Sequence, residues 1–400
     1  MKRLILCLTF IVGLTGVFTH HDLTAQDVTI TVTKTKVAPT KPEPPFTGKR
    51  PTVEVAILLD TSNSMDGLID QAKNQLWNII QKFAEAEKNG RTPTLRVALF
   101  EYGNSNLPSS ENYIRQVVQL TDDMDKVSEC LFSLTTNGGD EYCGAVIGEA
   151  LTRLDWSNAP NAYKAIFIAG NEPFNQGSID FRKSCAKAIQ SGVVVNTIHC
   201  GDYSAGVQGL WKQGAEMTEG DYMNINQDRK VVKVKTPQDE IIIKLNAELN
   251  KTYLWFGDKS ERQSYSMNQV QQDKNAMKSS SGFAGRGIAK AGKLYSNFNR
   301  DLVDTIQQNQ GILDSLPNDQ LPEKMQTMSK QEQKAYVEKL KSKRATIQKQ
   351  IAEAAKARAE FIAEKRKQRA EAGQNDDTLG AVINSTVGKQ LEASGFKIKK

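Results

Sequence analysis

The stretch Val53-Glu-Val-Ala-Ile-Leu-Leu59-Asp60-Thr-Ser62-Asn-Ser64 decides the fold. Val53–Leu59 is an almost continuous apolar run of strand length, the pattern of a parallel strand buried on both faces. Directly after it come an Asp and two Ser at alternate positions. The following segment, 66–88, has a different period: Leu68, Ala72, Leu76, Ile79, Ile80 and Phe83 recur at three and four. That spacing marks one face of a helix. A carboxylate and two hydroxyls therefore sit on the turn between a buried strand and an amphipathic helix.

Working outward, the alternation continues. Leu95–Glu101, Tyr113–Leu120, Ala165–Ala169, Val193–Cys200 and a short run at Tyr222–Ile225 read as strands, and 122–133, 142–154, 178–190 and 205–217 read as helices. Strands alternating with helices of this length predict an α/β fold, a doubly wound and mostly parallel sheet, over 53–228. Ligands of such a sheet bind at the C-terminal ends of its strands.

The flanks differ in style. Lys2 and Arg3 precede an apolar run, Leu4–Phe18, that is shorter than the roughly 20 residues of a membrane span, so 1–26 reads as a signal peptide and the protein as exported, to periplasm or cell surface. Residues 27–52 hold five prolines and read as an extended tether. No other run approaches spanning length, so no transmembrane segment is expected after signal removal. Residues 229–322 read as a helical and irregular extension, and 323–400 as a long basic helix and tail. Within 329–372, Tyr336, Leu340, Ile347, Ile351, Ala354 and Phe361 form a narrow apolar stripe of coiled-coil type that predicts one helical partner. Segments 238–256 and 302–313 are the candidates within the chain.

Composition excludes several chemistries. With the first 26 residues removed, His199 is the only histidine, and the chain has no GxSxG and no HExxH, so a histidine-dependent hydrolase is not expected. The net charge is +6. Thirteen Lys or Arg against six Glu lie between 330 and 371, but stacking aromatics are scarce there, so a solvated helix face is favoured over nucleic-acid binding. Four cysteines remain in an oxidising compartment. Cys185 precedes the strand ending at Cys200, and Cys130 and Cys143 bracket a Gly-Gly loop; these spacings predict disulfides 185–200 and 130–143.

Asp60, Ser62 and Ser64 present three oxygens to one point. Oxygen ligation suits a hard divalent ion, Mg²⁺ first, with Ca²⁺ or Mn²⁺ also suited. The competing reading is a capping group for the helix near 66. Strand, DxSxS and helix together resemble the metal-ion-dependent adhesion site of von Willebrand factor type A (VWA) domains. The resemblance covers about 53–228. It implies a module that binds a protein partner through the ion, with an acidic side chain of the partner completing the coordination, and no catalysis. In that family a second loop donates a Thr and a third loop an Asp. Here the second loop, Thr135–Gly144, places Asp140 where the Thr stands, with Glu141 beside it; the alternatives are that Asp140 caps the next helix and that Glu141 only marks its acidic N-terminus. The third loop, Ala169-Gly-Asn171-Glu172-Pro173, departs from the pattern, leaving Asn171 or Glu172 as a substitute acting through a water, or a simple turn. Gly201-Asp202-Tyr203, Trp211, Gly220–Ile225 and Leu245–Tyr253 resemble a subgroup of exported bacterial A-domain proteins of unknown role. A different class of function stays open beside adhesion: a structural or scaffolding envelope protein acting through the long helix, with the DxSxS turn purely structural.

Overall fold

Val53–Leu59 lies inside the first strand of a computed structural model that describes residues 50–159, 162–226, 228, 234–278, 280–371 and 379–398. The expected signal peptide (1–26) and all but the last three residues of the expected tether (27–52) lie outside the described residues. In chain order the elements begin with β1 (Thr52–Asp60), α1 (Asp66–Ala84), β2 (Ala86–Glu87), β3 (Thr94–Tyr102), β4 (Ile114–Thr121), α2 (Met124–Ser133) and α3 (Cys143–Arg153). They continue with β5 (Tyr163–Gly170), α4 (Phe181–Gln190), β6 (Val194–Cys200), α5 (Tyr203–Gln208), α6 (Trp211–Glu216) and β7 (Tyr222–Ile225). Beyond these come α7 (Pro237–Asn250), α8 (Lys259–Ala276), α9 (Ser280–Ala291), α10 (Leu302–Thr305), α11 (Ile312–Ser315), α12 (Lys330–Glu371), α13 (Leu379–Ala393) and β8 (Lys397–Ile398).

Among the described residues six strands form the main sheet, in the order β4-β3-β1-β5-β6-β7. All neighbours pair in parallel except β4, which closes one edge antiparallel to β3. The fold is the expected mixed α/β sheet followed by a helical C-terminal region. From β1 the chain builds outward to β3 and β4, then returns to β5 on the other side of β1. That reversal puts the switch point, where open α/β sheets bind ligands, at the C-terminal end of β1.

Side-chain alternation explains how one sheet carries two cores. Val53, Val55 and Leu59 pack with Leu68, Leu76, Ile80 and Phe83 of α1 and with Met124 and Val127 of α2. Ala56 and Leu58 point the other way, to Val146 and Ala150 of α3, Phe181 of α4 and Trp211 of α6. The expected disulfides fail on this geometry. Cys130 and Cys200 belong to the first core, whereas Cys143 and Cys185 belong to the second. Each expected pair would have to bridge the sheet, and all four cysteines are free, buried thiols. The helix expected at 205–217 is also broken, at Leu210 with φ +69°, into α5 and α6.

The extension is helical where its polar composition gave little sign of it. α12 runs antiparallel to α7, with Lys343 3.1 Å from Glu248 at one end and Arg358 2.8 Å from Asp239 at the other. Ile347 and Ile351 of the predicted stripe pack with Ile242 and Leu249 of α7 and Ala284 of α9. The stripe is thus covered within the chain, and α10 and α11 are single turns that contribute at its start. Among the described residues no helix is long and apolar enough to cross a membrane.

Charged side chains anchor the extension to the sheet domain. Arg286 of α9 is fully buried, 2.7 Å from Asp125 of α2, and also bonded to Asp273 of α8. Its guanidinium lies 4.7 Å from the centre of the Trp77 ring of α1. Buried Lys290 stands 3.3 Å from Asp273. Burial, with the Arg286 charge adding to it, pushes the Lys290 ammonium down to about 8.

The terminal helix is no loose tail. Leu379, Ile383, Val387 and Leu391 of α13, with Phe396, are at most 3% exposed and belong to the first core, against α1. Five such side chains contribute on the order of 10 kcal/mol before entropy is counted. That is comparable to the whole stability of a typical domain. Truncation after Glu371 should therefore abolish cooperative unfolding of the remaining chain, read by circular dichroism during thermal denaturation. An unchanged midpoint would show that α13 is dispensable.

Candidate metal centre

Asp60 ends the central strand and is fully buried, although nothing in an apolar sheet favours a carboxylate there. Its Oδ1 accepts the backbone N–H of Ser62 at 2.7 Å, an Asx turn that reverses the chain into α1. Its Oδ2 is buried with no hydrogen-bond partner. Alternation along the turn separates the remaining oxygens. Thr61 points away, its hydroxyl donating to Glu101 at 3.2 Å, while Ser62 and Ser64 share one side with their hydroxyls 3.1 Å apart. Ser62 is buried and Ser64 exposed, so the three side chains run from a buried floor to solvent.

The strands flanking β1 both lead into glycine beside Asp60. A Cβ on Gly103, after β3, would lie 3.0 Å from Asp60 Oδ1 and 2.8 Å from Glu141 Cγ. A Cβ on Gly170, at the end of β5, would lie 3.1 Å from Asp60 Oδ2. Any larger residue at either position would fill the space around the carboxylate. Gly103 also has φ +77°, which favours glycine independently.

The second loop reaches the site differently from expectation. It is seated by Asn137 N–H on Thr61 O and by Ser105 N–H on Gly138 O, at 3.0 and 2.7 Å. The structure brings Glu141, not Asp140, to Asp60. Glu141 is 6% exposed, whereas Asp140 is exposed and accepts the Tyr142 hydroxyl at 3.0 Å. The physical cause is the direction of entry: Cys143 must face the core at the start of α3, and that phase turns the residue two before it inward. Asp140 does not cap α3, whose N-cap residue is Tyr142 with no side-chain cap. Thr136 is tied to Asp66 at the start of α1.

The third loop is built rather than a simple turn. Asn171 and Ser64 side chains lie 3.2 Å apart. The Asn171 carbonyl accepts from His199 Nε2 at 3.3 Å, and the Glu172 carbonyl accepts the Trp211 indole N–H at 2.8 Å. The Asn224 amide nitrogen lies 3.3 Å from His199 Nδ1, an arrangement that suits the neutral tautomer with the proton on Nε2. Burial lowers the His199 pKa, in keeping with that neutral form. His199 and Trp211 thus set the loop that carries Asn171 and Glu172. No motif in the sequence announced this role for His199.

The electrostatics are those of anionic groups held together without a cation. Burial pushes Asp60 up to about 7 against the lowering effect of the Ser62 N–H and hydroxyl, and the Glu172 charge adds to the rise. Burial, then the charges of Asp60 and Glu172, push Glu141 up to about 7 as well. A hard cation is what this donor set lacks: a desolvated carboxylate oxygen with no partner, two hydroxyls beside it and a second carboxylate within reach. Among the described residues no group of three or more His, Cys, Asp or Glu is arranged around a metal position, so serine hydroxyls would carry part of any coordination.

These shifts predict a pH dependence with a defined sign. Asp60 and Glu141 bind protons more tightly folded, about 7, than at their ordinary values of 3.8 and 4.5. The folded state therefore holds more protons across the window, and stability falls as pH rises from about 4 to about 7. In EDTA, these two groups pull the melting temperature down over this range, so Asp60→Asn should gain melting temperature relative to wild type as pH rises. An unchanged slope in the variant would contradict this origin.

The family model of the von Willebrand factor type A domain matches residues 54–233. No curated protein matches the chain. Among solved structures, proximal thread matrix protein 1 from the mussel byssus is 16% identical, with a TM-score of 0.33 over 44% of this chain and 42% of that one. This chain thus spans less than half of the mussel protein. BatB from Bacteroides thetaiotaomicron is 14% identical over 56% of this chain and 99% of that one, with a TM-score of 0.34. The VWA domain of the type V pili tip protein Mfa5 from Porphyromonas gingivalis is 13% identical over 44% and 91%, with a TM-score of 0.33. The family match, with the β1–α1 turn and sheet order described above, is what assigns the domain: residues 54–233 are a von Willebrand factor type A domain.

Proposed function

We propose that this chain is an exported binding module that captures a protein partner through a divalent cation held by Asp60, Ser62 and Ser64, with Glu141 beside them and no catalytic step. The observation that carries this reading is the buried, unpartnered Oδ2 of Asp60 at the switch point of the sheet. Mg²⁺ suits an all-oxygen site open to water, and Ca²⁺ or Mn²⁺ would be accommodated. The bound ion would supply a Lewis-acidic position for an oxygen of the partner. Asp140, held outward by Tyr142, stands at the rim rather than at the ion. Ile179, Tyr203 and Val207 are 44%, 54% and 37% exposed on the segments that follow β5 and β6, at the same edge of the sheet. Exposed apolar side chains around a polar centre are the make-up of a protein-binding surface.

Two features argue against an enzyme. VWA domains are typically interaction modules, and His199 is committed through both ring nitrogens to neighbouring groups. Export rests on the Lys2-Arg3 pair and the apolar run after it. A scaffolding role is the second reading, favoured by one observation: past Arg358 α12 outruns α7, and much of 361–371 is exposed.

The test is capture of a partner from envelope extract by the intact protein, with and without EDTA, beside an Asp60→Ala variant. Capture should be lost in EDTA and in the variant, with the variant's circular dichroism and melting intact. Full capture by folded Asp60→Ala would defeat the adhesion reading. Charge reversal within 365–369, which leaves the core untouched, separates the scaffolding role: only that reading expects it to abolish capture.

A further inference from the structure

We propose that the side chains of Lys290 and Asn250 join in an amide cross-link between α9 and α7, formed by the folded chain itself with Asp273 moving the protons. Three observations carry it, none of them at the cation site. The first is contact: Lys290 Nζ donates to Asn250 Oδ1, which sets the amine against the carbonyl it would attack. The second is a shared carboxylate. Asp273 Oδ2 accepts from Asn250 Nδ2 at 2.7 Å, and its two oxygens lie 3.3 and 3.4 Å from Lys290 Nζ. One carboxylate thus touches both the attacking nitrogen and the nitrogen that would leave. The third is exclusion of water. Lys290 is 1% exposed and Asp273 7%, and the centre of the Tyr253 ring lies 5.8 Å from the amine.

Helix packing holds the pair together. Gly287 precedes Lys290 by one turn of α9, as Asn246 precedes Asn250 on α7. A Cβ on Gly287 would lie 2.9 Å from Ile242 Cγ2 and 3.3 Å from Asn246 Cβ, so the glycine lets the two helices approach closely. An amine and an amide are sluggish partners in water, and fixed contact in a dry site supplies the orientation they lack.

The protons and charges balance. Asp273 starts ionised, because the Lys290 and Arg286 charges outweigh the raising effect of burial. Burial, then the Arg286 charge, brings the Lys290 ammonium down to about 8, which puts the free amine within reach near neutral pH. The ammonium gives one proton to Asp273, and Nζ attacks Asn250 Cγ. Asp273 then passes its proton to Nδ2 and takes another from Nζ as the Cγ–Nδ2 bond breaks. The Nζ–Cγ bond remains and neutral ammonia leaves. Asp273 keeps one proton, so no uncompensated charge is left beside the Arg286–Asp125 pair. The product closes a covalent loop that contains α8.

The test is the mass of the purified full chain and of its tryptic peptides. Wild type should be lighter than the sequence from its own N-terminus requires by about 17 Da, one ammonia. Its Asn250 and Lys290 peptides should be joined, with no cleavage after Lys290. Asp273→Asn, nearly isosteric but unable to take up the proton, should keep its full mass. Lys290→Arg, which retains a buried cation without the lysine amine, should also keep its full mass and fold by circular dichroism. Both variants should melt below wild type. A wild type of full mass that trypsin cleaves after Lys290 would overturn the proposal, and so would a cross-linked Asp273→Asn. A loss of about 18 Da, with Lys290 joined to Asp273, would overturn it as well, since water rather than ammonia would then have left.

Discussion

A single buried carboxylate constrains the domain. Asp60 sits at the end of the central strand, with strands on both sides and cores on both faces, and one of its oxygens has no partner. Removing a carboxylate from water without compensation is among the costlier things a fold can do. The surrounding sequence accommodates it locally: an Asx turn satisfies Oδ1, glycines on both neighbouring strands leave space, and a third strand's His199 fixes the loop across from it. Among the described residues no Lys or Arg is ion-paired with it. The arrangement therefore favours the protonated acid, and on the proposed reading a cation would relieve that cost.

The same chain shows how it treats buried charge where no ligand is intended. Arg286, Arg344 and Arg358 are also buried, yet each is matched by carboxylates: Asp125 and Asp273, Asp301 and Asp304, and Asp239. Rings of Trp77 and Tyr253 cover two of the guanidiniums. Paired charge here fixes which helix lies against which, since removing one partner leaves the other uncompensated. Against that background, buried Asp60 and Glu141, with no ion pair among the described residues, are the exception, which the proposed function reads as a site. The pairing also joins the extension to the sheet domain, so that residues from 48 to 400 form one compact unit.

Much of the sheet domain was legible because its signals are local. Buried parallel strands read as apolar runs, and α1 reads as a stripe whose predicted members, Leu68 to Phe83, are buried. The extension was harder. α8 is a helix whose inward face is Arg262, Gln269, Gln272 and Asp273, polar residues that find polar partners, so no apolar period marks it. α13 was read as tail because its companions in the core lie some 300 residues earlier in the chain. The shared side of Ser62 and Ser64 was legible from alternation along one turn. That the second loop turns Glu141 inward and Asp140 outward was not, because adjacent residues differ only in the phase at which the loop enters α3. The cysteine pairing failed for a related reason: spacing along the chain does not record which face of the sheet a residue will occupy.

The central claim is that a cation belongs between Asp60 and the two serines. Anomalous diffraction from crystals grown with Mn²⁺ tests it most directly. The account predicts one strong peak bonded to Asp60 and the Ser62 and Ser64 hydroxyls, at distances of roughly 2.0–2.6 Å. A map with no peak there, and Asp60 Oδ2 protonated and hydrogen-bonded to Glu141 instead, would contradict it.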